Sequence, residues 1–94
     1  MNQEDSVARA IAFFEACEDT KLLRDVLTGI RPRAAAEVRR VKNVPNPREI
    51  AAASSAATRD EALRTVQATK DLALMQALSR AAGRRLESLS QGSA

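Results

Sequence analysis

Cys17 is the single thiol of the chain, and the sequence holds no histidine, tryptophan or tyrosine. One cysteine closes no disulfide within the chain, and without histidine no Cys/His metal site can be built. Ser-His-Asp and Cys-His nucleophilic arrangements are excluded, together with the commonest acid–base group near neutral pH. Glu18 and Asp19 follow the thiol and disfavour its thiolate, so Cys17 reads as a small core hydrophobe. The acids lie as scattered helix-surface charges rather than as a catalytic pair. Gly29, Gly83 and Gly92 form neither a GxxxxGKS/T nor a GxGxxG phosphate loop. The expected class is non-catalytic, with no cofactor and no metal.

Cations are the chemistry that the sequence concentrates. Arg31, Arg33, Arg39, Arg40, Lys42 and Arg48 stand against Glu37 alone in residues 31–48. The preceding stretch has the opposite bias, with Glu4, Asp5, Glu15, Glu18, Asp19 and Asp25 against Arg9, Lys21 and Arg24. Arg33 and Arg40 are seven residues apart and share a helix face, while Arg39 and Lys42 fall elsewhere on the polar surface. The block reads in three ways: a solvated face, a partner for the acids of the first segment within the chain or across a dimer, or a phosphate-binding stripe. A glycine turn before the block invites a helix-turn-helix reading. Ile30, Ala35 and Val38 suit the buried positions of that motif, but Arg24 and Asp25 stand where it wants an apolar and a small residue.

The elements that position these residues are helical. The chain has 94 residues, enough for one small domain. Nearly half of its apolar residues are Ala and few are β-branched, which argues against a sheet. Val7, Ala10, Ile11, Phe14 and Cys17 recur at helical spacing, and Phe13 lies off this stripe. Ser6 can cap this helix, or Glu4 and Asp5 join its first turn. Asp19 or Thr20 caps a second helix, with Leu22, Leu23, Val26, Leu27 and Ile30 inward, that is expected to end near Gly29. Pro32 then opens a third, basic helix to about Val41, carrying Ala34, Ala35, Val38 and Val41.

Residues 43–57, with Pro45, Pro47 and an Ala/Ser tract, read as a mobile linker or a weak packed helix. Thr58-Arg59-Asp60-Glu61 fits a capping box, and a helix with Ala62, Leu63 and Val66 follows it. It stops near Thr69-Lys70-Asp71 or runs on. Leu74, Met75, Leu78, Ala81, Ala82, Leu86 and Leu89 continue the stripe, and the tail from Ser90 frays. The resulting organisation is one all-α domain of four to five helices. Residues 1–42 form a hairpin plus the short basic helix, 43–57 the linker, 58–90 a second hairpin or long helix, and 91–94 a disordered tail.

A shift of 52 residues superposes Ile11 on Leu63, Phe14 on Val66, Leu22 on Leu74, Leu23 on Met75 and Val26 on Leu78, with Asp19 meeting Asp71 in the two polar breaks. Either the chain is a duplicated helix pair or amphipathic helices align by periodicity alone. Small size and an Ala-rich core leave little stability for a monomer. Leu74, Met75, Leu78, Ala82 and Leu86 are accordingly expected to form a helix interface for a protein partner or a second copy. Arg31, Arg33, Arg39, Arg40 and Lys42 form the candidate basic contact surface. The N-terminal residues lack the basic start of a signal peptide, and no apolar run has the roughly 18 residues of a membrane span. A cytoplasmic helical interaction module, self-associating or a small subunit, is the expected function. The alternative is a small nucleic-acid-binding protein using residues 31–48.

Overall fold

The computed structural model describes residues 3–41 and 49–92. Four helices carry the fold: α1 (Gln3–Ala16), α2 (Thr20–Arg40), α3 (Arg59–Ala68) and α4 (Leu72–Gly92). No strand occurs among the described residues. The starts of α2, α3 and α4 are each set by an oxygen-bearing side chain that meets free helix amides. Asp19 accepts from the Leu22 amide at 3.1 Å, Thr58 from the Glu61 amide at 3.2 Å, and Asp71 from the Ala73 and Leu74 amides at 2.8 and 3.3 Å. Glu61 does not complete the capping box. Its carboxylate turns instead to Arg9 on α1, at 3.0 Å. α1 begins ahead of Ser6, with Glu4 and Asp5 in its first turn, where the helix dipole favours acids.

The apolar stripes converge on one core. Val7, Ala10, Ile11 and Phe14 of α1 meet Leu22, Leu23, Val26, Leu27 and Ile30 of α2, Ala62 and Val66 of α3, and Leu74, Met75, Leu78 and Ala82 of α4. Cys17 is buried with them. Phe13 packs edge-on against Phe14, with ring centroids 5.5 Å apart. The helices joined by the short breaks are not each other's main neighbours. α2 packs chiefly on α4 and α1 on α4 and α3, whereas α1 hardly touches α2 and α3 hardly touches α4. The two helix–break–helix units are open pairs that interlock, each supplying the other's core.

Three expectations are corrected. First, Gly29 does not end a helix: its φ is not positive, and α2 continues through Pro32 to Arg40. There is no separate basic helix, and no turn to support a helix-turn-helix reading. An interior proline costs a helix about 3 kcal/mol. Pro32 lies on the exposed side, while Ile30 is fully buried and Arg33 is tied to α3, so tertiary anchors on both sides hold the segment helical.

Second, residues 49–57 are neither a free linker nor a helix. They lie across α1 as a strap that bends at Ser54 and Ser55, the Ala53 amide donating to the Ala8 carbonyl at 3.1 Å and the Ala57 amide to the Arg9 carbonyl at 3.0 Å. Methyl and hydroxymethyl side chains let the strap backbone come within hydrogen-bond reach of a helix backbone, which larger residues would prevent. Ala57 is buried, and Ile50 packs on the core edge. The amides of Ala53 and Ala57 are therefore expected to exchange with solvent more slowly than those of Ser54 and Ser55; exchange at one common, unprotected rate would contradict the strap. Third, α4 runs on past Ser90 to Gly92 instead of fraying. The linker residues Asn43 to Pro47, and Ser93 and Ala94 of the tail, lie outside the described residues.

The 52-residue echo reappears in three dimensions. α1 and α3 end at Ala16 and Ala68; α2 and α4 begin at Thr20 and Leu72 and end at Arg40 and Gly92, each pair offset by 52. Asp19 and Asp71 cap corresponding helices. Arg33 of α2 donates to the Thr69 carbonyl at 2.6 Å, and Arg85 of α4 donates to the Cys17 carbonyl at 2.7 Å. Donors and acceptors of these two bonds are again 52 apart, and so are the ion-paired Arg9 and Glu61. Side-chain periodicity alone supplies none of these reciprocal contacts. The sequence echo thus carries into the element bounds and these contacts, but not into the whole packing, since α1 packs closely on α4 while α2 barely meets α3.

Candidate functional site

Arg31, Arg33, Arg39 and Arg40 all lie on the C-terminal half of α2, but their surroundings divide them. Arg33 is only partly exposed. Besides Thr69 it donates to the carbonyls of Val66 at 2.9 Å and Gln67 at 3.3 Å. These oxygens close the last turn of α3, where carbonyls lack amide partners and the dipole end is negative. A guanidinium fork suits several such acceptors at once. Arg33 is therefore a structural clamp, withdrawn from the contact surface expected of it.

The remaining cations are exposed, with the Arg31 guanidinium lying beside Gly83 of α4. Arg40 makes an exposed pair with Glu37 at 3.4 Å, one turn away, of the kind worth at most about 1 kcal/mol. Arg31 and Arg39 are exposed and make no ion pair among the described residues. None of the three is paired with an acid of residues 3–30. Lys42 and Arg48 lie outside the described residues. From Arg31 to Arg40 no residue is buried, and only Ala34 leans on the core. Ala35 and Ala36 are exposed here, as is Val38, the one exposed large hydrophobic among the described residues. This half of α2 is a basic arm with a thin apolar strip.

The corresponding half of α4 provides an internal comparison. The clamp recurs there as Arg85, but Gly83, Gln91 and Gly92 stand in the places of Arg31, Arg39 and Arg40. Leu86 and Leu89 hold that half against the core, where α2 has Ala34 and Glu37. The α4 half is thus fastened and carries Arg84, Arg85 and Glu87, and the α2 half is less covered and more basic. Arg33 and its counterpart bond to carbonyls of the opposite unit; Arg31, Arg39 and Arg40 make no such bond among the described residues.

The expected apolar interface on α4 is corrected. Leu74, Met75, Leu78 and Ala82 are buried under α1 and α2, and Leu86 is partly buried against the same core. Covered in this way, they offer no docking face on the folded chain. An open groove of about 270 Å³ lies where the strap meets α1 and α4, with Ile11, Ile50 and Ala77 in its lining and Glu15, Arg80 and Arg84 around them. It is shallow by the standard of small-molecule sites. Arg84 pairs there with Glu49 at 3.7 Å. No cluster of three or more possible metal ligands occurs among the described residues.

The class that this architecture defines is a small all-α bundle of four helices. Among the described residues no helix is long and apolar enough to cross a membrane. The chain matches no protein-family model, no curated protein and no solved structure.

Proposed function

We propose that the chain is a non-catalytic helical interaction module of the cytoplasm that associates with a second copy of itself through the basic arm of α2. The observation that carries this reading is the contrast between the arms: Arg31, Arg39 and Arg40 are exposed on one, and Gly83, Gln91 and Gly92 stand in their places on the other. Charge complementarity indicates the partner. Glu18, just after α1, and Asp25 on the first half of α2 are exposed, and neither is ion-paired with the arm of its own chain. The arm of one copy set against these acids of the other, and the reverse, forms a closed two-fold pair. Val38 supplies an apolar centre to the contact.

Light scattering at rising protein concentration tests the proposal. A mass approaching the dimer in low salt should return toward the monomer in high salt, because exposed charges are screened within about 10 Å at 0.1 M. The double variant Arg31→Glu/Arg39→Glu should remain monomeric throughout. A monomeric wild type in low salt, or a dimer indifferent to the charge reversal, would overturn the reading.

The same exposed guanidiniums support the second reading, binding of nucleic acid. The two aromatic residues, Phe13 and Phe14, pack on the core and leave no stacking platform. Duplex affinity is therefore expected to be negligible at physiological salt. Micromolar binding, lost in the double variant and falling with salt at a log–log slope of about −0.9 per contact, would put this reading first.

A further inference from the structure

The two helix–break–helix units hold almost no core of their own. Helix packing runs between the units, α2 on α4 and α1 on α4 and α3. Most long-range polar links also cross, the Arg84–Glu49 pair within the second unit excepted. Arg33 to Thr69, Arg85 to Cys17, Gln3 to Ala68, Arg9 to Glu61 and Asp19 to Arg59 all cross from one unit to the other. The strap joins them, because its Ala53 and Ala57 amides bond to α1. A single connection, between Val41 and Glu49, ties the two units into one chain.

We infer that this interface is a recognition surface that a second copy of the chain can complete by exchange, the first unit of each chain closing on the second unit of the other. Every cross-unit contact named above recurs in such a dimer, now between chains. Closed monomer and exchanged dimer therefore share these contacts, and protein concentration sets the balance against the entropy of association. The reciprocal arginine bonds make the recognition two-sided, since each unit brings a guanidinium clamp and a helix end for the other's clamp to close on. The inference does not rest on the arm of α2, because exchange requires no contact between exposed charges.

Two full-length variants test it, both in a Cys17→Thr background, threonine being the residue that the second unit carries at the equivalent place. One contains Arg9→Cys and the other Glu61→Cys, the two ends of a 3.0 Å contact between units. The two chains are mixed, unfolded together in urea, refolded at high concentration and treated with a short bis-maleimide. A two-chain product on a denaturing gel is expected, its yield rising with refolding concentration and unchanged when salt is added. The same chains mixed after folding, and treated at once, should give none. Gln3→Cys with Ala68→Cys, both exposed at another contact between units, repeats the test if the first pair does not fold. A dimeric mass without the cross-linked product overturns exchange and leaves association through the surface standing. A monomeric mass at every refolding concentration overturns exchange as well.

Discussion

Leu78→Ala is expected to lower the unfolding free energy by about 2–5 kcal/mol, the range for leucines removed from well-packed cores. Leu78 is fully buried in the first half of α4, the helix on which both α1 and α2 pack. Neighbours drawn from two other helices cannot all collapse into the space left behind, so a cavity term adds to the lost transfer free energy. The total stability of a domain this size is about 5–15 kcal/mol at most, and the variant is expected to sit close to the edge of folding. Urea denaturation followed by far-UV circular dichroism measures the change. A difference within about 0.5 kcal/mol, typical of surface positions, would contradict the packing described for α4.

Arg33→Ala should cost about 1.5–3 kcal/mol, the range for hydrogen bonds that involve a charged group. Three carbonyls at the end of α3 lose their donor together, and the thin α2–α3 contact loses its main link. Lysine should rescue poorly, because one ammonium cannot reproduce the planar fork. Arg85→Ala should cost less, since Arg85 makes a single bond, from Nε to the Cys17 carbonyl. Equal stabilities for wild type and Arg33→Ala in urea titrations would remove the clamp from the account. The contrast with Arg39→Ala is informative in itself: that exposed side chain has no ion-pair partner among the described residues, and its removal should leave stability within about 0.5 kcal/mol of wild type.

Most of the core was legible because helical spacing reports burial directly. The stripes from Val7 to Phe14 and from Leu22 to Ile30 are all inside, as are Leu74, Met75 and Leu78. The polar breaks at Asp19 and Asp71 were legible too, since a carboxylate that meets free amides acts within three residues of itself. What escaped depends on distant partners. Gly29 and Pro32 carry strong local signals for a helix end, yet Ile30 and Arg33 are anchored by residues more than thirty positions away. The Ala/Ser tract looked unanchored because its anchors are backbone amides, which leave no trace in side-chain type. Which face of α4 is covered depends on where α1 and α2 lie, and periodicity does not report that. For the clamp a signal did exist: the 52-residue shift that aligns the apolar stripes also sets Arg33 on Arg85, an identical charged pair between otherwise unlike arms.

The interlocking of two open helix pairs also bears on how the chain reaches its native state. Contacts between units join residues roughly fifty positions apart, as in Arg9 with Glu61 or Gln3 with Ala68, so relative contact order is high for an all-helical protein. Local helix formation in the first forty residues buries little, because their apolar faces are closed by residues synthesised later. At a synthesis rate of about 5–20 residues per second, the first unit waits for seconds with its apolar faces uncovered. Collapse is then expected as one late, cooperative step once α4 has emerged. Chaperone demand during synthesis should accordingly be greater than for an up-and-down bundle of the same length, in which each new helix packs on the one before it.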